Sequence, residues 1–249
     1  MRALRSVLAG VTFALTTSVV GAQAVATDMK FVGIGNPNAI VGNVWAGVYT
    51  AMSGGTLTGN SYVGGNMIDI VCVDMLNDVN YNQTYHAWQQ TLSATMNRSL
   101  LRWGGYGDWY TRYKEAAWLS DQFKGKANNS LAVQAIHTAI WRTFTNAPRD
   151  AIPVTGYGDQ NVWNAAQGWM ANAAAATAQI DASDPTYWSR FIVISDVNET
   201  GAGTGATWAP LTGGTQEFMS TVPEPASLAL MATGMLGMGF VTRRRKKKQ

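Results

Sequence analysis

The last 28 residues restrict this chain more than any other stretch. Val222–Gln249 reads VPEPASLALMATGMLGMGFVTRRRKKKQ, three parts in fixed order. Pro223, Glu224 and Pro225 form a stiff turn, because each proline locks its own φ and restricts the residue before it. Ala226–Thr242 is a 17-residue stretch without a charge, rich in Leu, Met, Ala and Gly. Arg243, Arg244, Arg245, Lys246, Lys247 and Lys248 follow as six consecutive cations. A hydrocarbon core about 30 Å thick takes about 20 apolar residues of helix. The stretch therefore predicts one short C-terminal transmembrane helix whose basic neighbours snorkel to the interface. The cations hold the C-terminus on the cytoplasmic side, so everything before Pro223 lies on the far side.

This tail resembles the PEP-CTERM sorting signal of Gram-negative bacteria, which is also named as an ice-binding protein C-terminal domain. The resemblance rests on Pro-Glu-Pro, an apolar span and a basic end in that order. It implies an exosortase substrate, recognised by a membrane cysteine transpeptidase that cuts near the Pro-Glu-Pro. It also implies a route: anchored in the inner membrane with the body in the periplasm, then released to the outer surface or extracellular matrix. The pattern without that resemblance reads as an ordinary tail anchor with a basic stop.

The N-terminus points the same way. Arg2 and Arg5 precede an apolar run from Val7 to Val20, and Ala22-Gln23-Ala24 and Ala24-Val25-Ala26 both fit small-residue cleavage sites. This predicts a secretory signal peptide over residues 1–26, an exported body over 27–221 and the sorting signal over 222–249.

Charge has to be counted for the body alone. Setting aside the two arginines of the signal peptide, the six cations of the tail and Glu224 leaves 10 Lys+Arg against 14 Asp+Glu, a net charge of −4. The whole-chain value of +3 thus describes the sorting devices. Nucleic-acid binding, which needs clustered cations on one face, is not supported.

Along the body, Phe31–Gly65 reads as strands joined by glycine turns, and Met67–Met75 (MIDIVCVDM) as a strand with Ile68, Ile70, Cys72 and Asp74 on one face. Gly33-Ile34-Gly35 lacks both the third glycine and the following helix of a nucleotide loop. His86–Trp103 reads as a helix closed by Gly104-Gly105. Trp109, Tyr113, Ala116, Ser120 and Phe123 mark a second helix, stopped by Gly125. Asn128 or Asn129 caps a third, with Val133, Ile136, Ile140 and Phe144 as its buried stripe. Asp159 caps a fourth, on which Val162, Ala166, Trp169, Ala173, Ala176 and Ile180 share a face. Tyr187–Val197 and Gln216–Thr221 read as strands around a flexible Gly201–Gly214 loop. The predicted class is α+β: a β-sandwich or barrel with an insertion of about four helices.

Three pieces of the body occur in a telling order: Cys72-Val73-Asp74 with Asn77-Asp78-Val79, then Glu115-Ala116-Ala117-Trp118-Leu119, then Ala135-Ile136-His137-Thr138-Ala139-Ile140-Trp141. They resemble exported proteins related to the thioester domains of bacterial surface adhesins, over about residues 45–145. In that family a cysteine and a glutamine form an internal thioester that traps a nucleophile. Cys72 matches the cysteine, but His137 stands at the glutamine position, and imidazole offers no carboxamide carbon. Gln134 lies one turn earlier on the same helix face. The alternatives are a thioester through Gln134, a scaffold in which Cys72 and His137 pack together, and a Cys–His nucleophile pair.

The remaining chemistry is sparse. One cysteine excludes an internal disulfide, and His86 and His137 make no metal signature. Asp69 and Asp74 fall on opposite faces of one strand. Trp103, Trp109, Trp118, Trp163, Trp169 and Trp188 read mainly as core rather than as a sugar-stacking platform. No cofactor is expected. The leading expectation is a non-enzymatic surface or matrix protein whose partners are exosortase, the inner membrane in transit and a surface polysaccharide or matrix. A covalent adhesin acting through Cys72 and an exported envelope polysaccharide hydrolase are the alternatives.

Overall fold

Alternation along the third strand sends Ile70 and Cys72 one way and Val71 and Val73 the other, yet all four are buried. Burial on both faces requires a layer on each side of the strand. A computed structural model, which describes residues 24–41, 44–59, 61–74, 79–144, 160–197 and 215–222, contains both layers.

The first layer is the inside of a closed antiparallel barrel. Its strands are β1 (Val25–Val41), β2 (Val44–Thr58), β3 (Ser61–Cys72), β4 (Thr84–Thr91), β5 (Phe191–Asp196) and β6 (Phe218–Thr221). They run around the barrel in the order β1-β2-β3-β6-β5-β4. Met29, Phe31, Tyr49, Ile70, Tyr85, Ile194 and Phe218 form an interior cluster that draws on all six strands. Each large apolar side chain removed from water there contributes about 1.5–3 kcal/mol.

The second layer is helical. α1 (Trp109–Asp121), α2 (Leu131–Phe144) and α3 (Gln160–Ser183) lie between β4 and β5 in the chain. Their apolar faces pack with the outward-pointing Val48, Val71, Val193 and Met219 of the barrel. Val133, Ile136, Ile140 and Phe144 of α2 are all fully buried, as their spacing predicts. Ion pairs and a cation–π contact bind the helices to one another. Lys114 of α1 pairs with Asp181 of α3, and the Arg142 guanidinium of α2 lies 3.6 Å from the centre of the Trp163 ring.

Two expectations need correction. Residues 86–103 are not a helix: β4 occupies Thr84–Thr91, and only a short 3-10 turn at Arg98–Leu100 follows. Trp88, Leu92, Met96 and Leu100 recur every fourth residue and imitate a helical stripe. Tyr85 and Ala87, however, alternate into the barrel, and β1 and β5 supply ladders on both sides. Tertiary pairing overrides the local period. The described residues therefore hold three α-helices rather than about four. The cap of α2 is Ser130, whose hydroxyl accepts from the Val133 N–H at 3.3 Å. Asn128 instead reaches β1, accepting from the Asn38 N–H at 3.0 Å.

Among the described residues no helix is long and apolar enough to cross a membrane. The predicted transmembrane helix, the signal peptide up to residue 23, the Asp159 cap and the Gly201–Gly214 loop lie outside the described residues.

Gly47 fixes how closely β1 and β2 approach. It has φ +107°, and a Cβ there would stand 2.3 Å from the Pro37 carbonyl oxygen. Gly47→Ala should destabilise the protein by at least about 2 kcal/mol, combining backbone strain with overpacking. Gly168, on the exposed side of α3, has open space around it. Gly168→Ala should add about 0.5–1 kcal/mol through helix propensity. Urea denaturation of the two variants checks both signs.

Candidate functional site

β3 and α2 bring Cys72 and His137 together. The His137 Nε2 donates to the Cys72 carbonyl oxygen at 2.9 Å, and its Nδ1 accepts the backbone N–H of Gly47. One imidazole thus links β2, β3 and α2 through both nitrogens, which fixes the neutral tautomer with its proton on Nε2. Burial lowers its pKa from 6.5 to about 4, although the bond to Cys72 acts in the opposite sense. The ring packs tilted against Trp141 at a centroid distance of 4.4 Å, and Tyr49 meets it edge-on at 6.1 Å.

Cys72 is fully buried, and its Sγ donates to the Asp74 carbonyl oxygen at 2.8 Å. Burial is the main cause that pushes its pKa well above the ordinary thiol range, with the Asp74 and Glu217 charges adding to it. The Asp74 backbone and the Trp141 side chain favour the thiolate but do not overcome these effects. A thiol so placed is a poor nucleophile. Gln134 stands one turn before His137, half-buried, with its backbone carbonyl accepting from the Thr138 hydroxyl at 2.8 Å. The group held against Cys72 is the imidazole.

A second buried cluster, absent from the sequence-level reading, adjoins this pair. Glu217, just before β6, is fully buried. Its Oε2 accepts from the Ser195 hydroxyl at 2.7 Å and the Arg102 N–H at 2.9 Å. Its Oε1 accepts from the Tyr113 hydroxyl. The Arg102 Nε lies 2.7 Å from the Asp74 carboxylate, with both side chains buried. β3, β5, β6 and α1 are thereby tied through one carboxyl and one guanidinium. Burial raises Glu217 to about 7, against the opposing effect of Ser195, Tyr113 and Arg102. The ion-pair partner of Asp74, Arg102, comes from a distant loop and carries no local sequence signal.

The structure separates the other candidates. Asp69 is exposed while Asp74 is buried. His86 faces outward on β4 and pairs with Asp28 at 2.6 Å, far in the fold from His137. Trp103, Trp109, Trp163 and Trp188 are core, whereas Trp118 and Trp169 pack partly exposed against each other at 6.3 Å. An open cleft of about 420 Å³ at the barrel instead involves Trp45, Tyr49 and Tyr81. The sorting residues Pro223, Glu224, Pro225 and the six cations from Arg243 to Lys248 lie outside the described residues.

Comparison with protein families matches residues 221–246 to the PEP-CTERM protein-sorting motif. The match begins on Thr221, the last residue of β6. No curated protein and no solved structure matches the chain. The resemblance of the body to thioester domains receives no support from these comparisons.

His137 and Glu217 give opposite pH dependences. The unfolded chain protonates His137 near pH 6.5 and the folded protein only near 4, so this contribution is present above 6.5 and lost as pH falls toward 4. Glu217 retains its proton up to about 7 when folded and loses it near 4.5 when unfolded. Its contribution is present below 4.5 and lost as pH rises through 7. Each amounts to roughly 3 kcal/mol, so the two offset between about pH 4.5 and 6.5. Urea midpoints of Glu217→Gln should therefore rise from pH 4.5 to 6.5, and those of His137→Gln should fall over the same interval. The wild-type midpoint should change least.

Cys72 should react with maleimide only on unfolding. The intact mass should show no loss of about 17 Da and no methylamine adduct, the signatures of a thioester.

Proposed function

We propose that this chain is an exported, non-enzymatic surface or matrix protein. In this reading its barrel domain is delivered by an N-terminal signal and sorted by exosortase through its tail. The observation that carries the reading is the PEP-CTERM motif at 221–246, which starts where the folded body ends. Such a motif implies an exported protein with a membrane-associated sorting tail. The inner membrane is its station in transit, with the body in the periplasm. The outer surface or the extracellular matrix is its destination.

The chemistry of the body supports a binding role over a catalytic one. Asp74 and Glu217 are consumed in ties to Arg102, Ser195 and Tyr113. The single thiol is closed off by packing and by a raised pKa. Catalytic groups need access to substrate, which the burial of Cys72, Asp74 and Glu217 withholds.

In this reading the start of β1 favours the earlier of the two candidate signal-peptide cleavage sites over the one that ends the signal peptide at Ala26. Val25 pairs with Gln89 and Ala26 with Trp88 in the β1–β4 ladder. Cleavage after Ala24 leaves that ladder whole, whereas cleavage after Ala26 removes two paired residues. Intact-mass analysis of envelope and secreted fractions should find a major species that begins at Val25 and lacks the basic end. A species starting at Met1 would sink the export claim, and one ending at Gln249 would count against exosortase. Deleting Arg243, Arg244, Arg245, Lys246, Lys247 and Lys248 should leave the chain misoriented or unsorted, since they are the strong orientation signal beside the span.

A further inference from the structure

Among the described residues, the exposed large aromatics Trp45 and Tyr81 meet where the barrel opens. Five tryptophans, Trp103, Trp109, Trp141, Trp163 and Trp188, are buried. Trp45 is 44% exposed and Tyr81 70% exposed, and both line the 420 Å³ cleft, together with the exposed Ile34. Phe31 and Tyr49 of the barrel interior contribute to the same cleft, as do Asn80 and Gln216. Its volume lies within the range of small-ligand sites, about 300–1,000 Å³.

The aromatic groups are held in place by the fold. Tyr81 occupies a turn in which the Gln83 N–H donates to the Asn80 carbonyl at 2.9 Å. Asn82 takes the left-handed position at φ +64°, as a type II turn requires. Both ends of the turn bond to β1: the Asn82 N–H donates to the Phe31 carbonyl at 3.0 Å, and the Phe31 N–H to the Gln83 carbonyl at 2.9 Å. The Tyr81 ring lies over Gly33, where a Cβ would come within 3.0 Å of it and where φ is +150°. Tyr49 donates its hydroxyl to the Trp45 carbonyl, which steadies the opposite wall. A ligand arriving here does not have to order these groups, and this lowers the entropic cost of binding.

The lining also states what kind of ligand fits. Among its described lining residues none carries a charged side chain, so an anionic or cationic ligand would lose its hydration there without gaining a partner from them. Its polar side chains include two carboxamides. Gln216 as a residue is only 6% exposed, and its carboxamide makes no hydrogen bond among the described residues. A carboxamide both donates and accepts, as a hydroxyl does. Aromatic faces beside carboxamides match a ring that has an apolar C–H face and a hydroxylated rim. The neighbouring strands β4 and β3 pair with β1 and β2 only over Val25–Lys30 and Val48–Thr58, so an extended peptide at the cleft is the competing occupant that the test separates.

The geometry points to this cleft as a binding site for a neutral oligosaccharide, stacked on Trp45 and Tyr81 and hydrogen-bonded by Asn80 and Gln216. This deepens the binding role proposed above and rests on it, although the site does not depend on how the chain is sorted.

The test uses the full chain in detergent, titrated with neutral glucan, galactan and chitin oligosaccharides, with polygalacturonate, and with an apolar peptide. Tryptophan fluorescence and calorimetry supply the readouts. At least one neutral oligosaccharide should bind. Trp45→Ala and Tyr81→Ala should each weaken it by about tenfold or more, as loss of an aromatic anchor does. Trp45→Tyr should retain part of the affinity and Gln216→Leu should lower it. The melting temperature should stay at the wild-type value in Trp45→Ala and Tyr81→Ala, whose side chains reach solvent. Binding of none of the neutral oligosaccharides would overturn the assignment. So would preference for polygalacturonate or the peptide, or affinity that survives both aromatic substitutions. Cleavage of a bound oligosaccharide would overturn the non-enzymatic reading while leaving the site in place. The intact-mass experiment bears on sorting alone, so failure of either claim is read separately.

Discussion

Closure of the barrel rests on four residues. β6 is only Phe218–Thr221, and it meets β3 at two rungs, Val71 with Met219 and Cys72 with Phe218. So short a strand has little ladder with which to hold two neighbours together, and side chains supply the rest. Phe218 enters the interior cluster, while Met219 enters the cluster beneath the helices. Glu217, immediately before them, anchors the strand to Ser195 of β5, to Tyr113 of α1 and to the Arg102 backbone. A buried carboxyl with every oxygen satisfied fixes register in a way that apolar contacts alone do not. Removing one of its partners would leave a buried polar group uncompensated. The last strand is thus where the barrel, the helices and the loop carrying Arg102 meet.

His137 acts similarly at another junction. A glutamine at that position would offer a carboxamide to Cys72. The imidazole offers instead one acceptor and one donor at opposite ends of a rigid ring, and both are used, on Gly47 and on the Cys72 carbonyl. Gly47 has to be glycine both to expose its N–H to that ring and to let β1 approach. His137 thereby braces β2, β3 and α2, while the nearby thiol is kept unreactive by its own burial and by the Asp74 and Glu217 charges.

Much of the helical layer was legible in the sequence, because each helix buries one stripe and a stripe has a period. Val133, Ile136, Ile140 and Phe144 show it directly. β4 was not legible: Trp88, Leu92, Met96 and Leu100 imitate a helix, and its strand character comes from β1 and β5, remote in sequence. Cys72 and His137 were legible as neighbours through motif order. Glu217 and Arg102 were not, since a buried ion cluster assembled from four distant segments leaves no spacing to read. Trp45 and Tyr81 stood among many aromatics, and only the folded barrel distinguishes them as the most exposed tryptophan and tyrosine named among the described residues.

The join between body and tail shows how the fold and its sorting device coexist. Val222 is the last described residue, and its N–H donates to the Arg190 carbonyl at 2.7 Å. The next residue, Pro223, has no N–H to give. Pro223 therefore cannot donate the next bond of the closing strand beyond Val222. Cleavage at or beyond the Pro-Glu-Pro leaves both β3–β6 rungs and the Val222 bond intact. Cleavage a few residues earlier would remove paired residues from the strand that Glu217 anchors. A protein sorted by cutting this tail has to complete its barrel upstream of the cut, and the short β6 followed at once by proline satisfies that requirement.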